Sequence, residues 1–208
     1  DHLDRGTLDL YAPRIGSAGG TTDADAATFG DIAIDARGNL NIQGARSIAV
    51  YGKQRYSDAP FGTDAAASGR PYQVIDQAYL NAKHGEATQF VDGALGNGNL
   101  LNTKLAGLNN ASYRDAFHLR PAIEIASATP DGDLVVQGDL DLSGLRYASL
   151  NPNTQRTGSY GSGEVGMLTL RAGGNLSSYG SINDGFAPPP ETPDDGGWIL
   201  TPGVQAFG

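Results

Sequence analysis

A short pattern occurs twice in this chain and limits what it can fold into. Leu168 to Gly180 reads L-T-L-R-A-G-G-N-L-S-S-Y-G, and Ile32 to Gly44 reads I-A-I-D-A-R-G-N-L-N-I-Q-G. Ile32 corresponds to Leu168, Ile34 to Leu170, and the triplet Gly38-Asn39-Leu40 to Gly174-Asn175-Leu176. Apolar residues two apart project from the same face of a strand. Gly-Asn followed by Leu reads as a tight corner entering a new strand, because Gly and Asn best tolerate positive φ. Each copy is therefore predicted to be strand, corner, strand. That is one piece of a coil, and it buries its inner row only when another coil stacks on it. A looser third copy lies between Gly132 and Gly144, with Gly138-Asp139-Leu140 at its corner.

Composition agrees with a turn-rich β protein. Thirty glycines accompany many Asn, Asp, Ser and Thr residues. A formal net charge of -9 repels phosphate backbones, so nucleic acid is excluded as a natural partner. There are no cysteines, which removes disulfides and thiolate metal sites. No apolar run approaches the ~20 residues that span a bilayer, so membrane insertion is not expected. The chain starts in mid-pattern at Gly6-Thr7-Leu8-Asp9-Leu10 and is read as a fragment of a larger protein.

The predicted fold is all-β dominated: a right-handed parallel β-helix with a partly α-helical insertion. Residues 1–52 are assigned to coils, with Ser17 to Phe29 as a polar, Ala-rich loop. Residues 53–119 are assigned to an excursion packed on the β core. Within it, Tyr72 to His84 has apolar residues at helical spacing, Pro71 suits the first turn and Gly85 reads as a stop. Asn99 to Leu108 and Ser112 to Leu119 are further helical candidates. Coils resume over 120–185. Residues 186–208 form a Pro/Gly-rich terminal segment in which Trp198-Ile199-Leu200 is read as a short docking strand.

The strand-Gly-Asn-Leu pattern, carried by Ile32 to Gly44 and Leu168 to Gly180, resembles the filamentous haemagglutinin-like large exoproteins, the secreted partners of two-partner secretion systems. That resemblance implies a right-handed parallel β-helix, export through an outer-membrane transporter of a Gram-negative bacterium, and a secreted or outer-surface role in adhesion or biofilm. Surface glycans or proteins are the implied ligands. The helical stretch from about 71 to 119 departs from the family's repeats.

The expected function is structural and adhesive, without catalysis or cofactor. Ile32, Ile34, Asn39, Leu40, Leu168, Leu170, Asn175 and Leu176 are assigned to the structural repeat, with Asn39 and Asn175 as candidates for an asparagine ladder. Tyr56, Tyr72, Tyr79 and Tyr113 lie in the excursion and are the candidate ligand contacts, since aromatic faces stack on sugars and proteins. The alternative is a carbohydrate-active enzyme on the same scaffold, with Asp139 and Asp141 as paired carboxylates. A third reading, a processing or release element, rests on the Pro-rich tail. Asp194-Asp195-Gly196-Gly197 reads as a turn. His2, His84 and His118 have no ligand spacing, and His84 is expected at a helix end, near exposed carbonyls.

Overall fold

The computed structural model describes residues 6–16, 23–64, 68–150 and 163–183. The terminal segment with Asp194-Asp195 and Trp198-Ile199-Leu200, and His2, lie outside the described residues. Strands dominate: β1 (Gly6–Ile15), β2 (Asp31–Ile32), β3 (Ala45–Tyr56), β4 (Tyr72–Ile75), β5 (Phe117–Ala126), β6 (Asp133–Gln137), β7 (Leu140–Asp141), β8 (Arg146–Tyr147), β9 (Glu164–Val165), β10 (Met167–Arg171), β11 (Leu176–Tyr179) and β12 (Ile182–Asn183). Two helices, α1 (Asp23–Thr28) and α2 (Gln77–Gly96), and a π-helical turn over Leu100–Lys104 complete the fold.

The main sheet runs β10-β5-β3-β1-β2 and is parallel except where β1 meets β2. A second sheet, β11-β6-β4, and the β12-β7 pair are also parallel. Three successive strands, β5, β6 and β7, therefore each pair with the matching member of β10, β11 and β12. Leu176 stands opposite Leu134 and Ile182 opposite Leu140.

Side chains lock these two turns of chain together at their corners. Asp133 Oδ1 accepts the Asn175 N–H (2.7 Å), and Asp139 Oδ1 accepts the Ser181 N–H (2.7 Å) and hydroxyl (2.8 Å). Asn183 donates its amide to Asp141 Oδ1 (3.1 Å). All three acids reach a residue 42 positions later. The corner glycines sit against the same neighbours. A Cβ on Gly174 would fall on the Asp133 carboxylate, and one on Gly180 on the Gly138 carbonyl.

The starting edges of this stack are covered. Gly62 and Val74 exchange backbone bonds with Tyr72 and Pro60 along β4. The Gln77 side-chain amide both donates to the Asp141 carbonyl (3.1 Å) and accepts the Asp141 N–H (2.7 Å), standing in for a missing strand beside β7. β2 and α1 cover the end of β1. Among the described residues, nothing pairs with the far side of β10, β11 or β12, and Leu176, Tyr179 and Ile182 are exposed there.

One apolar core joins the sheets to the helices. Ile48, Val50, Ile125, Leu134 and Leu140 share it with Leu80, Phe90, Val91, Leu100 and Leu105. Gly52 is glycine because the Phe90 ring occupies the place of its Cβ. Gly30 and Gly93 bring the α1 end and α2 into backbone contact in the same way.

Several sequence expectations are corrected here. Tyr72–Ile75 is a strand, because pairing with β6 outweighs a helical spacing carried by β-branched Val74 and Ile75. The helix starts after Asp76, whose carboxylate accepts the Tyr79 N–H (2.8 Å) as an N-cap. It runs through Gly85, which lies on an open surface and costs about 1 kcal/mol rather than a break. Its buried row, Leu80, Ala87, Phe90, Val91 and Ala94, holds it on the sheet. Ser112 to Leu119 is turn and then strand, since Phe117 and Leu119 pair with β3. Part of the expected Ala-rich loop is α1.

The largest correction concerns Ile32 to Gly44. Only Ile32 is in a strand, and that strand is antiparallel to β1. Ile34, Asn39 and Leu40 belong to no strand. Their segment bonds to the stretch after α2: Ala36 N–H to the Lys104 carbonyl (2.6 Å), Gly107 N–H to the Ala36 carbonyl (2.9 Å). Leu168, Leu170 and Leu176 do lie in strands, with the corner at Asn175 between them. β2 and β10 are at opposite edges of the main sheet, so Asn39 and Asn175 are not neighbours in a ladder.

Candidate functional site

The four candidate tyrosines divide in two. The Tyr113 hydroxyl donates to the Leu40 carbonyl (2.6 Å) and accepts the Ile42 N–H (2.9 Å), so it holds a loop rather than a ligand. The Tyr72 ring fills the space over Gly62. Tyr56 and Tyr79 instead converge on one side chain, Lys83.

Lys83 is buried on α2, with its ammonium 4.4 Å from the centre of the Tyr56 ring and 5.2 Å from that of Tyr79. It pairs with Asp58 Oδ2 (2.8 Å) and Glu86 Oε1 (3.2 Å). The Tyr79 hydroxyl donates to Asp58 Oδ1 (2.6 Å). Burial first, and then that carboxylate, push Tyr79 well above an ordinary phenol. Burial opposes ionisation of Asp58, but the bonds from Lys83 and Tyr79 prevail and hold it below its usual range. Tyr56, Asp58, Lys83 and Glu86 line a cleft of about 400 Å³ with Ala24, Ala27, Gln54, Arg55 and Ser57.

Behind Ala27 and Tyr56 lies Arg14. Leu8, Leu10, Ala12 and Arg14 alternate along β1, so a guanidinium occupies the inner, apolar row. It lies 4.2 Å over the Phe90 ring and donates to the carbonyls of Gly52 (3.1 Å) and Ala27 (2.7 Å). Among the described residues, no carboxylate forms an ion pair with it. Burial lowers its pKa.

The outer face of the main sheet carries a second cluster. The rings of Tyr11 and Tyr51 stack with centres 4.7 Å apart, and Arg120 donates to the Tyr51 hydroxyl (3.3 Å). Beside them Glu124, on β5, meets Lys53 (2.5 Å), Arg171 (3.5 Å) and Arg55 (3.7 Å). Lys53 is the main cause of its lowered pKa. Glu164 lies under the same face, bonded to His118 Nδ1 (2.7 Å), Arg120 Nε (2.7 Å) and the Ser149 hydroxyl (3.1 Å). Burial would raise Glu164, but the bonds from His118 and Arg120 overcome it and the pKa falls.

This chemistry suits binding better than proton transfer. General acid–base work needs a carboxyl whose proton is exchangeable near neutral pH. Asp58, Glu124 and Glu164 are each fixed as anions by cations. Asp139 Oδ1 bonds across to Ser181, and Asp141 Oδ1 to Ser143 and Asn183, so each carboxylate has a structural role at its corner. His84 lies within α2, against the Tyr147 ring at 4.9 Å, rather than at a helix end. Burial pushes the Tyr147 hydroxyl up to about 12. Among the described residues, no group of three or more His, Cys, Asp or Glu is placed to hold a metal ion, and no helix is long and apolar enough to cross a membrane.

Lys83 and the Tyr11–Tyr51 stack were not legible as sites, because α2 and the β1–β3 pairing bring together residues distant in sequence. Arg14 did leave a signal, a charge on the apolar parity of an alternating strand. No family model, curated protein or solved structure matches this chain.

Proposed function

We propose that the stacked parallel sheets are coils of a right-handed parallel β-helix. We further propose that the chain is a structural and adhesive, non-catalytic segment of a large secreted exoprotein on the outer surface of a Gram-negative bacterium, delivered by an outer-membrane transporter. The observation that carries the scaffold reading is the matched pairing of β5, β6 and β7 with β10, β11 and β12, reinforced by acids bonding 42 residues ahead. A rod of such turns holds surfaces at a fixed distance with little conformational freedom. The adhesive reading is supported by the stacked tyrosines and flanking cations on the outer sheet face, and by the commitment of the acids there to ion pairs.

The test uses the whole chain, since residues 53–119 contribute α2 and much of the core and their deletion would unfold it. Binding to an array of surface glycans and to immobilised bacterial and host cell-surface proteins is measured, with mass spectrometry of the glycans afterwards. Retention without new products is the expected result. It should weaken in Tyr11→Ala, which removes the exposed half of the stack. Catalytic release of glycan fragments would sink the non-catalytic reading, and no retention on any surface would sink the adhesive one.

A further inference from the structure

We propose that the outer face of the main sheet binds a glycan that carries uronic acids, seated between the Tyr11 ring and the exposed guanidiniums of Arg55 and Arg171. This names the ligand class of the adhesive reading and rests on that reading.

The strand registers sort this face into rows. Tyr11 stands level with Tyr51 and Arg120, Lys53 with Ala122 and Met167, and Arg55 with Glu124 and Thr169. Arg171 follows at the next outward position of β10. A shallow cleft of about 180 Å³ crosses the strands here, with Tyr11, Lys53, Glu124, Met167, Thr169 and Arg171 in its lining.

Charge is unevenly spread over the face. Lys53, Arg55 and Arg171 all reach a single carboxylate, Glu124, so three cations share one anion. The Arg55 and Arg171 side chains are 62 % and 65 % exposed, and both approach the same oxygen, Glu124 Oε1, through Nε at 3.7 and 3.5 Å. Those separations are too long for hydrogen bonds. Among the described residues, neither guanidinium donates one, and both forks are open to solvent. The other acids of the face, Asp9 and Glu164, lie toward the start of the strands, where Arg120 and His118 hold Glu164. The surplus is therefore local to the Arg55 and Arg171 end, in a chain whose net charge is -9.

These features select the ligand. A guanidinium presents a planar pair of N–H groups that matches a carboxylate in two parallel bonds. Two open forks and a surplus of two charges suit two singly charged carboxylates. A heavily sulfated chain carries more charge than this end can balance, and the rest of the molecule repels it. Neighbouring strands lie about 4.8 Å apart, and an extended glycan advances by a similar distance per sugar, so one laid across the strands meets them in step. Tyr11 and Met167 offer apolar surface to a pyranose face, and Thr169 offers a hydroxyl.

Isothermal titration calorimetry of the whole chain tests this, with tetragalacturonate, its full methyl ester and a heparin tetrasaccharide as probes. Tetragalacturonate is expected to bind with a submillimolar Kd, and the uncharged ester at least tenfold more weakly. Raising sodium chloride from about 0.05 to 0.5 M should weaken tetragalacturonate binding several-fold. Arg55→Gln and Arg171→Gln, both at exposed positions, should each reduce it roughly tenfold, the loss of bonds to a charged group. Arg37→Gln, which removes an exposed guanidinium outside this face, should leave it unchanged. The proposal is overturned by absence of tetragalacturonate binding, by the ester binding equally, by heparin binding more tightly, by indifference to salt, by a folded Arg55→Gln/Arg171→Gln double variant that binds like the parent, or by an equal loss in Arg37→Gln. Retention of neutral glycans or proteins by a chain that ignores tetragalacturonate would overturn this ligand class alone and leave the adhesive reading in place, whereas retention of nothing would remove both.

Discussion

Ile32 to Gly44 and Leu168 to Gly180 share a residue pattern and almost none of a structure. In the second, strand, corner and strand lie directly on the turn of chain before them. In the first, the strand stops after Ile32, and the rest follows the segment beyond α2. The glycines show why. Gly38 has φ of 103° and Gly44 φ of 76°, with open space where a Cβ would be. Gly174 and Gly180 have ordinary φ values and are crowded against Asp133 and Gly138. One pair of glycines is there for conformation and the other for contact. A residue pattern that specifies a bend does not specify what the bend packs against.

Breaking each contact separately should show which partner holds each copy. Gly107 is the point at which the first copy leans on the segment after α2. A Cβ there would meet the carbonyls of Ala36 and Gly38, flanked by the buried Leu105 and Leu108. Gly107→Ala should cost roughly 3 kcal/mol, since an interior contact cannot relax, measured as a shift in the urea midpoint. Gly174→Ala crowds the second copy on the outermost turn, which can move, and should cost about 2 kcal/mol. Gly38→Ala tests conformation alone and should cost about 1 kcal/mol. If Gly38→Ala proved worse than Gly174→Ala, the distinction between conformation and contact would be wrong.

Tyr113 sharpens the comparison from another side. Tyr113→Phe removes both bonds to Leu40 and Ile42 and should cost about 1–2 kcal/mol. Amide exchange should quicken around residue 42 and stay unchanged at Asn175. Equal quickening at both would mean that the two copies open as one unit.

Acid should separate the copies most gently. The first is anchored by the Tyr113 phenol. The second is anchored by carboxylates. The Ser68 hydroxyl and the Asn175 N–H hold Asp133 below its ordinary pKa, the Ser181 N–H and hydroxyl do the same for Asp139, and Glu164 is also lowered. Groups lowered in the fold contribute stability that is complete above the ordinary carboxylate pKa and is lost as pH falls through the folded value. Protection at Asn175 and Ser181 should therefore decline on acidification before that at Ile42. Glu164→Gln should flatten the acid limb of the unfolding curve, and a limb of unchanged slope would remove Glu164 from this account.

The legible parts of the fold were those that depend on short-range rules. Alternation placed Leu168, Leu170 and Leu176 in strands, and the Gly-Asn-Leu corner sits between them. What escaped was set by distant partners. Tyr72–Ile75 became a strand because β6 was available to pair with it. Tyr113 was spent on a loop 73 residues away. For the site, the tyrosines of the excursion point at Tyr56 and Tyr79, while Lys83, between them, is a charged helical residue whose burial nothing in the sequence signals.

The bonds that Gln77 makes beside β7 give the molecule a sense of direction. A side-chain amide there offers one donor and one acceptor and then ends, so backbone hydrogen bonding cannot propagate past it. Along β10, β11 and β12 no described strand adds to the far edge, and the edge of a parallel sheet is a template for an extended segment. Stacking is therefore directional: Gln77 closes one side, and a strand joining on the other would have its phase dictated by the strands already in place. For a scaffold this is an advantage during growth and a hazard in storage, because a stray strand is read by the same template as a proper one.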